Sequence, residues 1–216
     1  KGPWKGQRTL DGEPVWHISA YLDRRRVVGS PHRLAANEGL SFIGSYVLGM
    51  GFVLEPEEAQ ALIEKDPRNK DVLFPYLNGE DLNSRSDQSP SRWVINFKDW
   101  PLDRASAPDG YRGPVAEDYP DCLEILERLV KPERMQNTYS KSARENWWLF
   151  ERYRVELYRT IAPLERVMVH TRVTKTHAFS FLPRDLIYSE ATVVLAFNDF
   201  ALFSLVNSSF QEFWAW

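Results

Sequence analysis

The sequence predicts an α/β fold of the α+β kind: a mixed, mainly antiparallel β-sheet with flanking helices. Three observations carry that expectation. Val167–Thr171 and Ala178–Leu182 are β-prone runs around a polar gap without Gly or Asn, the pattern of a hairpin with a longer loop. Asp118–Val130 sets Leu123, Leu126, Leu129 and Val130 on one helical stripe. Short apolar runs bounded by turn residues alternate with helical patterns, and no internal repeat appears.

In chain order, Pro14–Leu22 reads as a first strand, followed by the basic run Arg24, Arg25 and Arg26. Such a run is either a solvated loop or a phosphate contact. Ser41–Val47 and Gly51–Leu54 are strands joined by a reversal at Gly49 and Gly51, where glycine tolerates positive φ. A helix spans Glu55 to Lys65, with Pro56 and acids in its first turn, and Asp66-Pro67 ends it. Val72–Leu77 is a strand, 78–81 a turn, Ser84–Ser91 a polar loop and Arg92–Phe97 a buried strand. Pro101–Pro120 is a surface connection leading to the 118–130 helix, capped by Asp118 or Asp121. Helices follow at Lys141–Arg152 and Glu156–Ile161, with Trp147 and Trp148 read as packing. After the hairpin come strands at Leu186–Tyr188 and Thr192–Phe197, then a helix from Phe200 to Trp216 capped at Asn198-Asp199.

This organisation implies a lead-in segment (1–40), a main domain (41–197) and a packing helix (198–216). The opening Lys1-Gly2-Pro3 and the aromatic end, Phe210 to Trp216, suggest a piece of a longer protein. Phe213, Trp214 and Trp216 are then expected to pack on neighbouring parts or on the domain itself.

At 216 residues, 43% hydrophobic and 26% charged, the composition is that of a globular protein with a substantial core. No run of 18 apolar residues occurs, so no membrane span is expected. One cysteine, Cys122, and four scattered histidines (His17, His32, His170, His177) argue against a structural zinc site and fit a reducing cytoplasm. The net charge is −3, yet between Lys131 and Asp185 eleven Lys and Arg stand against six acids. Such asymmetry fits one face meeting a polyanion, unless helical pairs such as Glu156 with Arg152 and Arg159 mute it.

Several chemistries are missing. No two prolines are adjacent, so the Asn/Asp-Pro-Pro-aromatic clamp of amino methyltransferases does not exist here. Neither the acid, Glu-x-Lys nuclease pattern nor the motifs of serine hydrolases, zinc proteases or phosphate-binding loops occur. His170 and His177 with Asp185 or Asp199 form the one acid–base candidate.

The stretch from Phe42 to Ala59 (FIGSYVLGMGFVLEPEEA) resembles the MmeI-like family of type IIL restriction–modification methyltransferases. So do Leu73–Ser84 (LFPYLNGEDLNS), Trp93–Asn96, Pro120–Ile125 and Val130–Arg134. The hairpin and its sequel, from Ser189-Glu190 to Phe197–Phe200, complete a collinear series. Leu77 to Leu82 also fits the Leu-x-Gly-x-Asp-Ile element that opens the specificity domain of TaqI-type methyltransferases. The resemblance implies a TaqI-like target-recognition domain that binds double-stranded DNA and performs no catalysis. Its partner would be an N-terminal adenine-N6 methyltransferase domain of the same parent chain, in a bacterial, cytoplasmic restriction–modification or phage-defence enzyme, with or without a nuclease. That domain would bind S-adenosylmethionine, and no cofactor is expected in this segment. Base-reading residues of relatives fall in the region matching Val173–Phe181, where some members carry Ser-Ser-Glu-Arg-Arg. This chain has Lys175-Thr-His-Ala-Phe179 instead, so the target sequence does not carry over.

On this reading Arg172, Thr174, Lys175, Thr176 and His177 read bases from a β-ribbon in the major groove. Lys131, Arg134, Lys141, Arg144, Arg24 and Arg25 contact phosphates. Two readings from other classes stand beside it: a protein-interaction scaffold built on the aromatic C-terminus, and a small His-dependent hydrolase.

Overall fold

The computed structural model describes residues 6–18, 24, 35–138 and 140–215. The chain divides into two compact units, Lys1–Glu38 and Gly39–Trp216. In the first, β1 (Arg8–Leu10) and β2 (Glu13–Val15) form an antiparallel ribbon. Asp11 and Gly12 both adopt positive φ at its turn, the backbone a two-residue hairpin requires. The expected 14–22 strand reduces to β2, because the ribbon pairs Pro14 with Thr9; residues 19–22 lie outside the described set.

In the second unit β3 (Ser41–Ile43) ends sooner than expected. A Cβ on Gly44 would lie 2.1 Å from the Ser189 carbonyl oxygen, so the chain crosses segment 188–189 in near-contact. Single bridges follow, Ser45 with Ser189 and Tyr46 with Arg152. The reversal at Leu48 and Gly49, both at positive φ, delivers β4 (Val53–Leu54). α1 (Pro56–Lys65) starts at a capping box in which the Glu55 amide donates to Glu58 Oε2 at 2.8 Å.

β5 (Leu73–Leu77) leads into α2 (Gly79–Ser84), a helix where a turn was expected. Asn78 Oδ1 accepts from the amides of Glu80 and Asp81, and the Asp81 carboxylate accepts from the Asn78 amide. This reciprocal capping turns Asn-Gly-Glu-Asp into a helix start. β6 (Arg92–Ile95) and a long connection precede α3 (Pro120–Leu129). Neither expected cap serves α3: Asp118 accepts from the Val115 amide, and Asp121 pairs with Lys65 at 2.6 Å.

α4 (Lys131–Gln136) and α5 (Lys141–Glu145) follow, the latter capped by Ser140. α5 was expected to reach Arg152 but ends early, because Arg134 takes the carbonyls of Asn146, Trp147 and Leu149 that a helix would need. α6 (Val155–Ile161) precedes β7 (Arg166–Thr171), β8 (Ser180–Pro183), β9 (Ile187–Tyr188) and β10 (Thr192–Leu195). The final helix expected over 200–216 is two, α7 (Phe200–Val206) and α8 (Ser209–Ala215). The break falls at Asn207, whose side chain accepts from the Phe179 amide at 2.7 Å and donates to the Phe179 carbonyl. Side chains of Phe213, Trp214 and Trp216 lie outside the described residues.

The fold class is as expected, mixed and mainly antiparallel with flanking helices. It holds two four-stranded sheets rather than one, in the orders β3-β10-β7-β8 and β4-β6-β5-β9, with β5 and β9 parallel. One core packs α1 and α3 around Phe52, Val94, Ile95 and Leu126; the other packs Leu157 and Ile161 of α6 on Val167, Val169 and Val194. Gly44 sits where the sheets meet. A Gly44→Ala substitution is expected to cost about 3 kcal/mol through overpacking against a backbone carbonyl. Urea denaturation checks this; an unchanged midpoint would show that the crossing can relax.

Candidate functional site

β7 and β8 pair in register from Arg166 with Pro183 to Val169 with Ser180, leaving 172–179 as the hairpin loop. The loop is tied down by its own hydroxyls and by α2. Thr174 Oγ1 donates to the Thr176 carbonyl and accepts from the Thr176 amide, both at 3.2 Å. Asn83 Nδ2 donates to the Val173 carbonyl at 3.1 Å, and the Thr171 hydroxyl donates to Asn83 Oδ1 at 3.3 Å.

Between the loop and α2 lies an open pocket of about 680 Å³, with Thr174, Lys175, Thr176, His170, Asn83 and Gln88 on its wall. Three of the five expected base-reading residues therefore line one concavity. Asn83 and Gln88 were missed, because they precede β7 by 83 and 78 residues and no local pattern marks them. Lys175 is exposed and has no ion pair or hydrogen bond among the described residues.

The other two sit differently. His177 packs its ring 5.3 Å from that of His170 and 5.5 Å from that of Phe179, and the Nε2 atoms of both histidines are buried without hydrogen-bond partners among the described residues. Arg172 is drawn away from the pocket: its Nη1 donates to the Glu190 carbonyl at 3.1 Å, and its side chain lines a second cleft beside Arg152 and Arg154.

The phosphate candidates also divide. Arg134 is corrected: it is 2% exposed and donates six hydrogen bonds to the carbonyls of Val47, Leu48, Asn146, Trp147 and Leu149. A guanidinium so enclosed has no donor left for a phosphate. Burial lowers its pKa to about 10, so it stays charged at neutral pH. Lys131 lies 4.5 Å over the Trp147 ring and 3.0 Å from Glu127. Arg144 donates to the Asn137 carbonyl, while Lys141 is exposed with Glu145 3.3 Å away. Arg24 is exposed in the first unit, and Arg25 lies outside the described residues.

The hydrolase arrangement is not assembled. No hydrogen bond or ion pair joins His170 or His177 to a carboxylate among the described residues, and Asp199 caps α7 through the Leu202 amide. Nor do three or more His, Cys, Asp or Glu gather there as a metal site would require. No described helix is long and apolar enough to cross a membrane.

The fold has a solved counterpart. The fold is similar to part of MmeI, a type IIL restriction-modification enzyme solved in complex with DNA. The match has a TM-score of 0.62 and 15% sequence identity, and covers 90% of this chain. It spans 24% of the MmeI chain, so the shared fold is about a quarter of a larger protein. No family model and no curated protein matches the sequence.

Two predictions follow from the buried cations and imidazoles. Arg134→Ala leaves several enclosed carbonyls unpaired and is expected to cost on the order of 4 kcal/mol, read as a lowered urea midpoint. His170 has its pKa pushed below the ordinary 6.5, first by burial and then by facing His177. The unfolded chain therefore takes up a proton before the folded one as pH drops. Stability is full above pH 6.5 and declines as pH falls toward the lowered folded value. His170→Phe should flatten that decline; an undiminished slope in the variant would assign it elsewhere.

Proposed function

We propose that this chain is a sequence-specific recognition module for double-stranded DNA. It would serve an S-adenosylmethionine-dependent adenine-N6 methyltransferase domain of the same longer protein, in restriction–modification or phage defence. One observation carries the reading: its fold, shared over 90% of its length with part of an enzyme solved on DNA. The collinear motifs from Phe42 to Phe200 point to the same family, and no catalytic motif competes with recognition.

In this proposal the hairpin loop enters the major groove. Lys175 donates to guanine acceptors, Thr176 offers an adaptable hydroxyl, and Gln88 is an amide suited to adenine, while Asn83 holds the loop through the Val173 carbonyl and the Thr171 hydroxyl. Thr174 is committed to the loop's own backbone and so shapes it. His177 braces the loop through His170 and Phe179. Lys141 contributes a phosphate contact, exchanging its exposed pairing with Glu145, which is worth little in water. Recognition of this kind orients the duplex so that a catalytic partner can swing the target adenine out of the stack.

Lys175→Ala is expected to change which duplex is selected from a randomised pool, at about 1–3 kcal/mol for a lost base contact. Lys141→Ala should weaken every sequence alike and reduce the salt slope by about one. Selection coupled to sequencing, with anisotropy titrations at several salt concentrations, separates the two. A Lys175 variant with wild-type preference would refute its base-reading role, and a wild-type protein that binds no duplex would refute recognition itself.

A further inference from the structure

Beyond the hairpin pocket lies a second concavity that the charge pattern alone does not single out. A cleft of about 320 Å³ brings together Arg152, Arg154 and Arg172 with Ile43 and Tyr46, and a neighbouring cleft of about 520 Å³ shares Ile43, Arg152 and Arg154 on its wall. The three arginines come from separate places: Arg172 leaves β7, while Arg152 and Arg154 flank Tyr153 before α6.

Their backbones are held rigidly. Tyr46 and Arg152 exchange both backbone hydrogen bonds, at 2.9 and 3.0 Å. The Arg172 amide donates to the Ala191 carbonyl at 2.8 Å, and the Gly44 crossing fixes residues 43–46 against 188–189. Arg154 is held at φ 64, a left-handed conformation unusual for a residue with a side chain. Its Nε is buried without a hydrogen-bond partner among the described residues.

None of the three is ion-paired among the described residues. Glu151 and Glu190 also line the cleft, but Glu151 accepts the Ser140 hydroxyl at 3.0 and 3.2 Å, and Arg172 meets the Glu190 carbonyl instead of its carboxylate. Unpaired guanidiniums gathered on a rigid wall, one with a desolvated and unsatisfied N–H, call for an oxyanion.

We propose that this cleft binds a backbone phosphodiester of duplex DNA, through Arg152 and Arg154 with Arg172 at its edge; the proposal rests on the recognition reading above. Arg172 and Lys175 are three residues apart, at most about 10 Å of extended chain, which is roughly three base-pair steps of 3.4 Å. The cleft therefore clamps a phosphate within a few steps of the bases the loop reads. It supplies register without sequence information, and Arg172 moves from base reading to phosphate binding.

Fluorescence anisotropy with a labelled duplex, across a series of salt concentrations, tests it on Arg152→Gln, Arg154→Gly and the double variant. Arg154→Gly removes the guanidinium while suiting the left-handed backbone, so its thermal midpoint should stay level or rise as affinity falls. Each substitution should lower affinity roughly eightfold at 0.1 M salt and reduce the salt slope by about 0.9, with the preferred sequence unchanged. Wild-type affinity and slope in the folded double variant would overturn the cleft while leaving recognition intact. A changed sequence preference would overturn the phosphate assignment, since a base contact would then be lost. Absence of duplex binding by the wild-type protein would overturn both.

Discussion

The buried guanidinium of Arg134 is the constraint around which the second unit is arranged. Two irregular stretches meet on this side chain of α4: Val47 and Leu48 after the sheet crossing, and Asn146 to Leu149 after α5. Its face lies 4.8 Å over the Phe52 ring, and no carboxylate neutralises it at ion-pair distance. A cation this enclosed is tolerable only because carbonyl dipoles replace water around it. Those carbonyls belong to segments that are neither helix nor strand, so the same residue satisfies backbone groups that would otherwise be orphaned in the core.

What that anchor positions is the candidate surface. Fixing 146–149 determines where 151–154 emerges, and the paired backbones of Tyr46 and Arg152 dock that emergence on the segment carrying Gly44. Gly44 in turn sits on Ser189, one residue beyond β9, and Ser189 bonds back to Leu77 just before α2. From α2, Asn83 reaches the hairpin loop, and from the far side Asn207 grips Phe179 at the base of β8. The loop is thus held at both roots by side-chain amides bonded to backbone, and its tip keeps Val173 and Lys175 in solvent. Such a scaffold leaves few groups to order on binding, which would limit the entropic cost of the proposed recognition.

Local sequence signals revealed most of the elements. Residue periodicity placed α3, α6 and the β7–β8 hairpin within a few residues, and proline and acids in the first turn placed α1. The misses share a cause: each depends on a partner far along the chain. α5 stops early because Arg134 takes carbonyls beyond it, β3 breaks because Ser189 crosses it, and the last helix breaks because Asn207 turns to Phe179. The Asn78 capping box is the exception, since Asn-x-x-Asp was local and was read as a turn. At the site, the loop residues were legible because they are contiguous. Asn83, Gln88, Arg152 and Arg154 were not, because only the fold brings them beside the loop. Arg134 shows the converse: a basic residue in a basic stretch counts toward surface charge until burial removes it.

That last point changes how a chain of net charge −3 can meet a polyanion. Without Arg134 the excess in 131–185 shrinks, and Lys131, Lys141 and Arg144 are each occupied by a carboxylate, a ring or a carbonyl. Long-range attraction is therefore weak. With a screening length of about 8 Å at physiological salt, what matters is the charge a phosphate meets at contact. Arginines gathered along one cleft act there more strongly than the same charges spread over a surface. Phosphate contacts add affinity for every sequence alike, so on the proposed reading discrimination has to come from the loop that carries Lys175 and Thr176. On that reading the cleft would set register on the backbone and leave the choice of sequence to the loop.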